Sequence, residues 1–228
     1  MTQQNAIKQV GAELLQQFLG LLQRRVLSPP YNLSEEDADR LVKSMNDASV
    51  SLYEESSDML IDVASEGHLQ LCSTLLAAYR ALLGLQPESS DVMVDIDEAL
   101  VQPLRERIDW WLDVRFGVHG DKPEQTFDVM AAKFAMTGTA RFGESFEYIQ
   151  EKLDQTQSLV QVRRCFFNDF FRRHGAENVT SLICKMDLVW ADRINNSGHN
   201  VRFERPSLLS AGDNCCRFYF YRDDAALK

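Results

Sequence analysis

The period of the apolar residues changes part-way along this chain, and that change limits the folds open to it. Over roughly the first 155 residues, apolar side chains recur every three to four positions, the spacing of one face of an α-helix. Beyond that point short segments alternate apolar and polar residues, as half-buried strands do. "IKQVGAELLQQFLGLLQRRVL" shows the first pattern: Ile7, Val10, Leu14, Leu15, Phe18, Leu21 and Leu22 make one stripe. "SLVQVRRCFF" shows the second, with Leu159, Gln161 and Arg163 set against Val160, Val162 and Arg164. A single helical bundle or an all-β fold accommodates only one of these. The expectation is an α+β protein: a mostly helical N-terminal part, then a small antiparallel sheet with packed helices. The division falls at a helical region 1–137 and an α+β region 138–228.

Punctuation places the elements more closely. Ser34 can cap a second helix that runs from about Glu35 into the Asp62 region, with Asp37 three residues on in a near capping box. A third helix lies between Gly67 and Gly84. A long fourth carries Val92, Ile96, Leu100, Leu104, Ile108 and Trp111 on one face, starts at Ser and Asp caps in "QPESSDV", and kinks at Pro103. "DKPEQTFDVMAAKFAM" reads as a shorter helix with Pro123 near its first turn. "TGTARFGES" reads as a hinge broken by Gly138 and Gly143, and "SFEYIQEKL" as a short helix. After the strand come a short helix "CFFNDFFRRHG" that Gly175 ends, and an amphipathic helix in "AENVTSLICKMDLVWADRIN" with Val179, Leu182, Ile183, Met186, Val189 and Trp190 inward. "HNVRFERP" and "CCRFYFYR" are the remaining strands.

Charge and composition exclude several functions. The net charge is −10 and no basic stripe is present, so a nucleic-acid partner is not expected. An anionic membrane surface is disfavoured for the same reason, and no apolar run is long enough to span a bilayer. The N-terminal stretch reads as an amphipathic helix rather than a signal peptide, and the expected location is the cytoplasm. The first helix could pack on its own domain or on a partner subunit, which leaves a homodimer open.

The chemistry must then come from few groups. The five cysteines are Cys72, Cys165, Cys184, Cys215 and Cys216, an odd number that suits a reducing compartment. In the last strand Cys216, Phe218 and Phe220 share the inward face. Cys215, Arg217, Tyr219 and Tyr221 share the outward one. Cys184 and Asp187 stand at i and i+3 on one side of a helix, where a thiol and a carboxylate can serve a single site. Cys165 lies at a helix N-terminus beside Arg163 and Arg164, a setting that lowers a thiol pKa. Taken singly, each cysteine is more often a small core hydrophobe, Cys72 above all. His68, His119, His174 and His199 show no ligand spacing. No Gly-rich phosphate loop, nucleophile elbow or paired-histidine zinc motif is present.

The order of the C-terminal pieces carries more information than any one of them. Arg164-Cys165 precedes a short aromatic helix; Gly175-Ala176-Glu177 follows; then come Cys184 to Asp187, the strand "RFERP", and Gly212 to Phe218 in a Gly-x-x-x-Cys-x-Phe pattern. This series, over about residues 140 to 222, resembles the L-2-amino-thiazoline-4-carboxylic acid hydrolase family. By position Cys165, Cys184, Asp187, Gly212 and Cys216 match, and Cys215 takes a variable place.

The resemblance implies a hydrolase that opens a small cyclic C–N/C–S substrate to a carbamoyl thiol. Such a site needs a base for water, a stabiliser for the leaving sulfur and a cation for a carboxylate. Under this resemblance Asp187 is the expected base. Arg164 or Arg217 holds the substrate. A zinc ion on Cys165, Cys184 and Cys216, or a nucleophilic Cys165 without metal, completes the site. The alternative is a small-molecule-binding or sensory module with a structural cysteine-metal site. The closing Gly-x-x-x-Cys-x-Phe is similar to that of vinyl-reductase-type sensor domains, which carry a further cysteine where "RPSLLSAG" has none. A helical interaction protein with core thiols is the third class.

Overall fold

Eight α-helices and four strands make up the described chain. The computed structural model describes residues 3–85, 89–196 and 198–227; the side chains of 3–11, 89–90, 114–115, 135–137, 139–141, 187 and 226–227 lie outside that description. The helices are α1 (Gln3–Val26), α2 (Glu35–Glu55), α3 (Val63–Leu85), α4 (Ser89–Arg105), α5 (Ile108–Phe116), α6 (Thr126–Phe142), α7 (Phe166–Arg173) and α8 (Thr180–Asn195). The strands are β1 (Glu147–Leu153), β2 (Gln157–Arg164), β3 (Val201–Glu204) and β4 (Cys216–Arg222). They form one antiparallel sheet in the order β1-β2-β4-β3. The α+β class and the helical N-terminal part are as the sequence leads one to expect. No helix of the described residues is long and apolar enough to cross a membrane.

The helices form where their apolar stripes meet. Ser34 accepts the Asp37 N–H at 3.1 Å and donates to its carboxylate at 2.6 Å, so the capping pair opens α2. Helix α3 is the central element. Leu69, Cys72, Leu75, Leu76, Ala78 and Leu82 are fully buried, and it packs against α2, α4 and α7. The stripe on α1 is borne out at Phe18 and Leu22; Ile7 and Val10 lie outside the described side chains, as do Ser89 and Ser90 at the start of α4, while Asp91 lies in its first turn. One cluster of buried apolar residues runs from Phe18 to Phe220.

The sheet packs its inner face on α6 and α8 through aromatic rings. Trp190 lies 4.7 Å from Phe203, and Phe134 lies 4.7 Å from Phe220 between ring centroids. Cys216, Phe218 and Phe220 point inward as their alternation demands.

Four local expectations are corrected. The long fourth helix is two helices: Pro103 falls in the last turn of α4, and the chain breaks at Glu106–Arg107 before α5. "SFEYIQEKL" holds strand β1, an edge strand that pairs with β2 and carries its charges outward. Tertiary contact decides that outcome, because the Tyr148 ring lies on α6 at Gly138. A Cβ there would stand 2.6 Å from the ring. The supposed hinge is helical as far as Phe142; only Gly143 breaks it, at φ +77, where the Asp62 carboxylate approaches and accepts the Glu144 N–H at 2.5 Å. Finally, Cys215 precedes β4 and is buried like Cys216, at 6% and 8% exposed, so it is not outward.

Candidate active site

Cys72, Cys184 and Cys216, from α3, α8 and β4, each lie within electrostatic reach of Cys165 at the start of α7. Cys165 is the N-cap residue of α7, directly after β2. Charge on Cys184 or Cys216 would act on its thiol, and its own charge would act on Cys72 of α3. Residues distant in sequence thus come within electrostatic reach of one another.

A tight turn links two of them. Residues Leu209–Ala211 form a 3-10 turn that Gly212 closes at φ +91, a conformation that favours glycine. The Leu209 N–H points at the Cys216 sulfur, 3.3 Å away, and the Ser210 hydroxyl lies 3.4 Å from the Cys184 sulfur. Asp213 steadies the turn by accepting the Leu208 N–H at 2.7 Å. Cys165, Cys184 and Ser207 to Ser210 are all partly exposed, so this corner reaches solvent beside the turn.

An arginine completes the corner. Arg205 follows β3, donates to the Cys184 carbonyl oxygen at 2.8 Å and lies over the Phe218 ring at 5.9 Å. It belongs to the "RFERP" piece of the motif series. The two arginines expected to bind substrate are surface residues. Arg164 is exposed and donates to the Glu144 carbonyl oxygen; Arg217 is exposed on the face of β4 opposite Cys216 and Phe218. The usable signal for Arg205 was pairing: opposite residues of neighbouring strands share a face, and Phe203 stands opposite Phe220.

The thiol expected to be acidic is not. The α7 N-terminus does favour a Cys165 thiolate through the Asn168 and Phe167 N–H groups, but burial outweighs them and pushes the thiol well up. Burial likewise pushes Cys72 up. Sequence reading also passed over Asp169, one turn into α7. Burial raises its carboxyl above the usual range against the pull of Arg172 and Arg164. Asp187 lies on α8 one turn beyond Cys184; its side chain is outside the described residues.

The zinc expectation finds no support in this geometry. Among the described residues no three His, Cys, Asp or Glu side chains are grouped so as to hold a metal ion. The histidines have local partners instead. The ring nitrogens of His174, His199, His119 and His68 lie near Ser56 (2.9 Å), Thr126 (2.6 Å), Asp113 (3.1 Å) and the Phe142 carbonyl oxygen (3.1 Å) respectively.

The sequence pattern of the L-2-amino-thiazoline-4-carboxylic acid hydrolase family matches residues 96–220, from within α4 to near the end of β4. The chain belongs to this family. The matched span takes in every residue of the cysteine corner except Cys72, and it reaches well upstream of the motif series that first suggested the resemblance. Helices α1 to α3 lie outside it. No curated protein and no solved structure matches the chain.

Proposed function

We propose that this protein is a hydrolase of a small cyclic amidine of the thiazoline type, opening the ring at its C–S bond to give a carbamoyl thiol. The observation that carries this reading is the meeting of Cys165, Cys184, Cys216 and Arg205 at one solvent-reaching corner, within the span that matches the hydrolase family. In the substrate class, C2 of the ring bears one sulfur and two nitrogens. Water adds to that carbon, the C2–S bond breaks, and a urea remains.

The residues divide the work as follows. Asp187, which helical spacing puts on the same side of α8 as Cys184, takes a proton from the attacking water and returns it to the departing sulfur. Cys184 and Cys165 line the path of the leaving sulfur, and the Cys165 thiol donates a weak hydrogen bond to it. Burial holds the Cys165 thiol protonated, which favours water over Cys165 as the attacking group. Arg205 takes the place first expected of Arg164 or Arg217 and binds the substrate carboxylate.

The test is thiol release from L-2-amino-thiazoline-4-carboxylate by the purified protein, with the product mass determined. One thiol per substrate with a carbamoyl product supports the reading. Absence of release under conditions where the protein is folded counts against it.

A further inference from the structure

A cavity of about 310 Å³ opens between α4, α5 and α8, away from the cysteine corner. It is lined by Arg105 at the end of α4, Ile108 at the start of α5, and Val189, Asp192, Arg193 and Asn196 of α8. The four α8 residues stand at i, i+3, i+4 and i+7, which is one side of a helix. At about 100° per residue, that side is turned roughly opposite to the one that carries Cys184 and Asp187. The polar groups of the cavity are unequally engaged. Arg193 is held, its Nε and one terminal nitrogen donating to the two Asp109 carboxylate oxygens at 2.6 and 3.2 Å. Asn196 donates through Nδ2 to the Asp192 carbonyl oxygen at 2.9 Å, which leaves its Oδ1 as an acceptor. Arg105 and Asp192 carry opposite charges and line the same cavity. Among the described residues neither side chain makes a hydrogen bond or an ion pair, with the other or with any third group. Ile108 and Val189 add a half-buried aliphatic surface beside them.

We propose that this cavity is a second binding site, separate from the cysteine corner, for a small aliphatic α-amino acid in its zwitterionic form. Arg105 donates to the ligand carboxylate, which matches the planar fork of a guanidinium. The Asp192 carboxylate and the Asn196 Oδ1 accept from the ligand ammonium, and Ile108 and Val189 receive its side chain. The charge pattern selects this class over its neighbours. A simple anion meets the Asp192 carboxylate, and a simple cation meets Arg105 and Arg193. A molecule that carries both charges a few bonds apart satisfies both walls at once.

The experiment uses the whole protein and three probes: L-valine, isovalerate, which lacks the ammonium, and isobutylamine, which lacks the carboxylate. Dissociation constants are measured by calorimetry for the wild type, Arg105→Gln and Asp192→Asn, with thiol release and thermal unfolding in parallel. The wild type is expected to bind L-valine with a dissociation constant on the order of 1 mM. It binds the other two probes about 10-fold more weakly. Arg105→Gln binds L-valine no more tightly than the wild type binds isobutylamine, and Asp192→Asn no more tightly than the wild type binds isovalerate. Both residues are exposed, so the unfolding midpoints stay level. Failure of the wild type to bind L-valine, or equal affinity in the wild type and both variants, overturns the proposal. Thiol release lost together with L-valine binding would make the cavity part of the substrate site and overturn its separateness. Selective L-valine binding by a wild type that releases no thiol upholds the proposal and removes the hydrolase reading.

Discussion

Two polar clusters in this molecule are built on opposite terms. At the α1–α4 contact, Asp95 is almost fully buried, yet both its oxygens are engaged: Arg25 donates to one at 2.6 Å and the Tyr31 hydroxyl to the other at 2.8 Å. Burial and the facing Asp95 hold the Tyr31 phenol well above its usual range. At the cysteine corner the two contacts to sulfur, from an N–H and a hydroxyl, are 3.3 and 3.4 Å, and only backbone-directed bonds such as Arg205 to the Cys184 carbonyl oxygen are short. The first cluster is saturated and serves to fix helices. The second is built on polarizable sulfur contacts, which are weaker and fix the chain less firmly.

The sharpest way to break this contrast is to separate activity from stability. Asp187→Asn is expected to lower thiol release by about 10²- to 10⁴-fold while the thermal midpoint stays within a degree or two. Steady-state turnover and calorimetry on one preparation check both. Equal losses in both would place Asp187 among the structural groups.

Core and frame changes should show the reverse. Trp190→Ala removes the ring that joins α8 to Phe203 and Phe116, and should cost about 3–5 kcal/mol in urea unfolding. Asp95→Ala leaves the Tyr31 hydroxyl and Arg25 without their shared acceptor. A loss of about 2 kcal/mol is expected, with turnover per folded molecule retained. Gly138→Ala drives a methyl group against the Tyr148 ring and should cost about 1–3 kcal/mol as β1 and α6 move apart. A neutral Gly138→Ala would show that β1 is not seated on α6.

The smallest effect is set by pH. Burial pushes both His174 and His199 below the usual histidine value of 6.5. The unfolded chain then binds protons at a higher pH than the folded one. Their contribution to stability is present above that value and is lost as pH falls through the lower folded values. Unfolding free energy should therefore decline between pH 7.5 and 5.5, and His174→Asn should flatten part of the decline.

Legibility followed the range of the forces. The capping pair at Ser34 and Asp37, the stop at Gly175 and the inward set Cys216, Phe218 and Phe220 depend on neighbours a few residues away, and all three were readable. Strand β1 was not, because "SFEYIQEKL" has no strong alternation and owes its form to pairing with β2 and to Gly138 beneath Tyr148. The motif order pointed to the cysteine corner. It did not single out Arg205, because Arg164 and Arg217 are adjacent to cysteines in sequence, whereas Arg205 approaches Cys184 only in space.

By itself the sequence determined the α+β class, the helical N-terminal part and the family. These follow from periodicity, local stereochemistry and motif order, which a linear chain carries intact. Only the tertiary structure decided that Cys215 is buried and that burial overrides the helix N-terminus at Cys165. It also decided that Arg205 reaches helix α8 at Cys184. Those outcomes depend on desolvation and on which strand lies beside which, and both are properties of packing that no single segment contains.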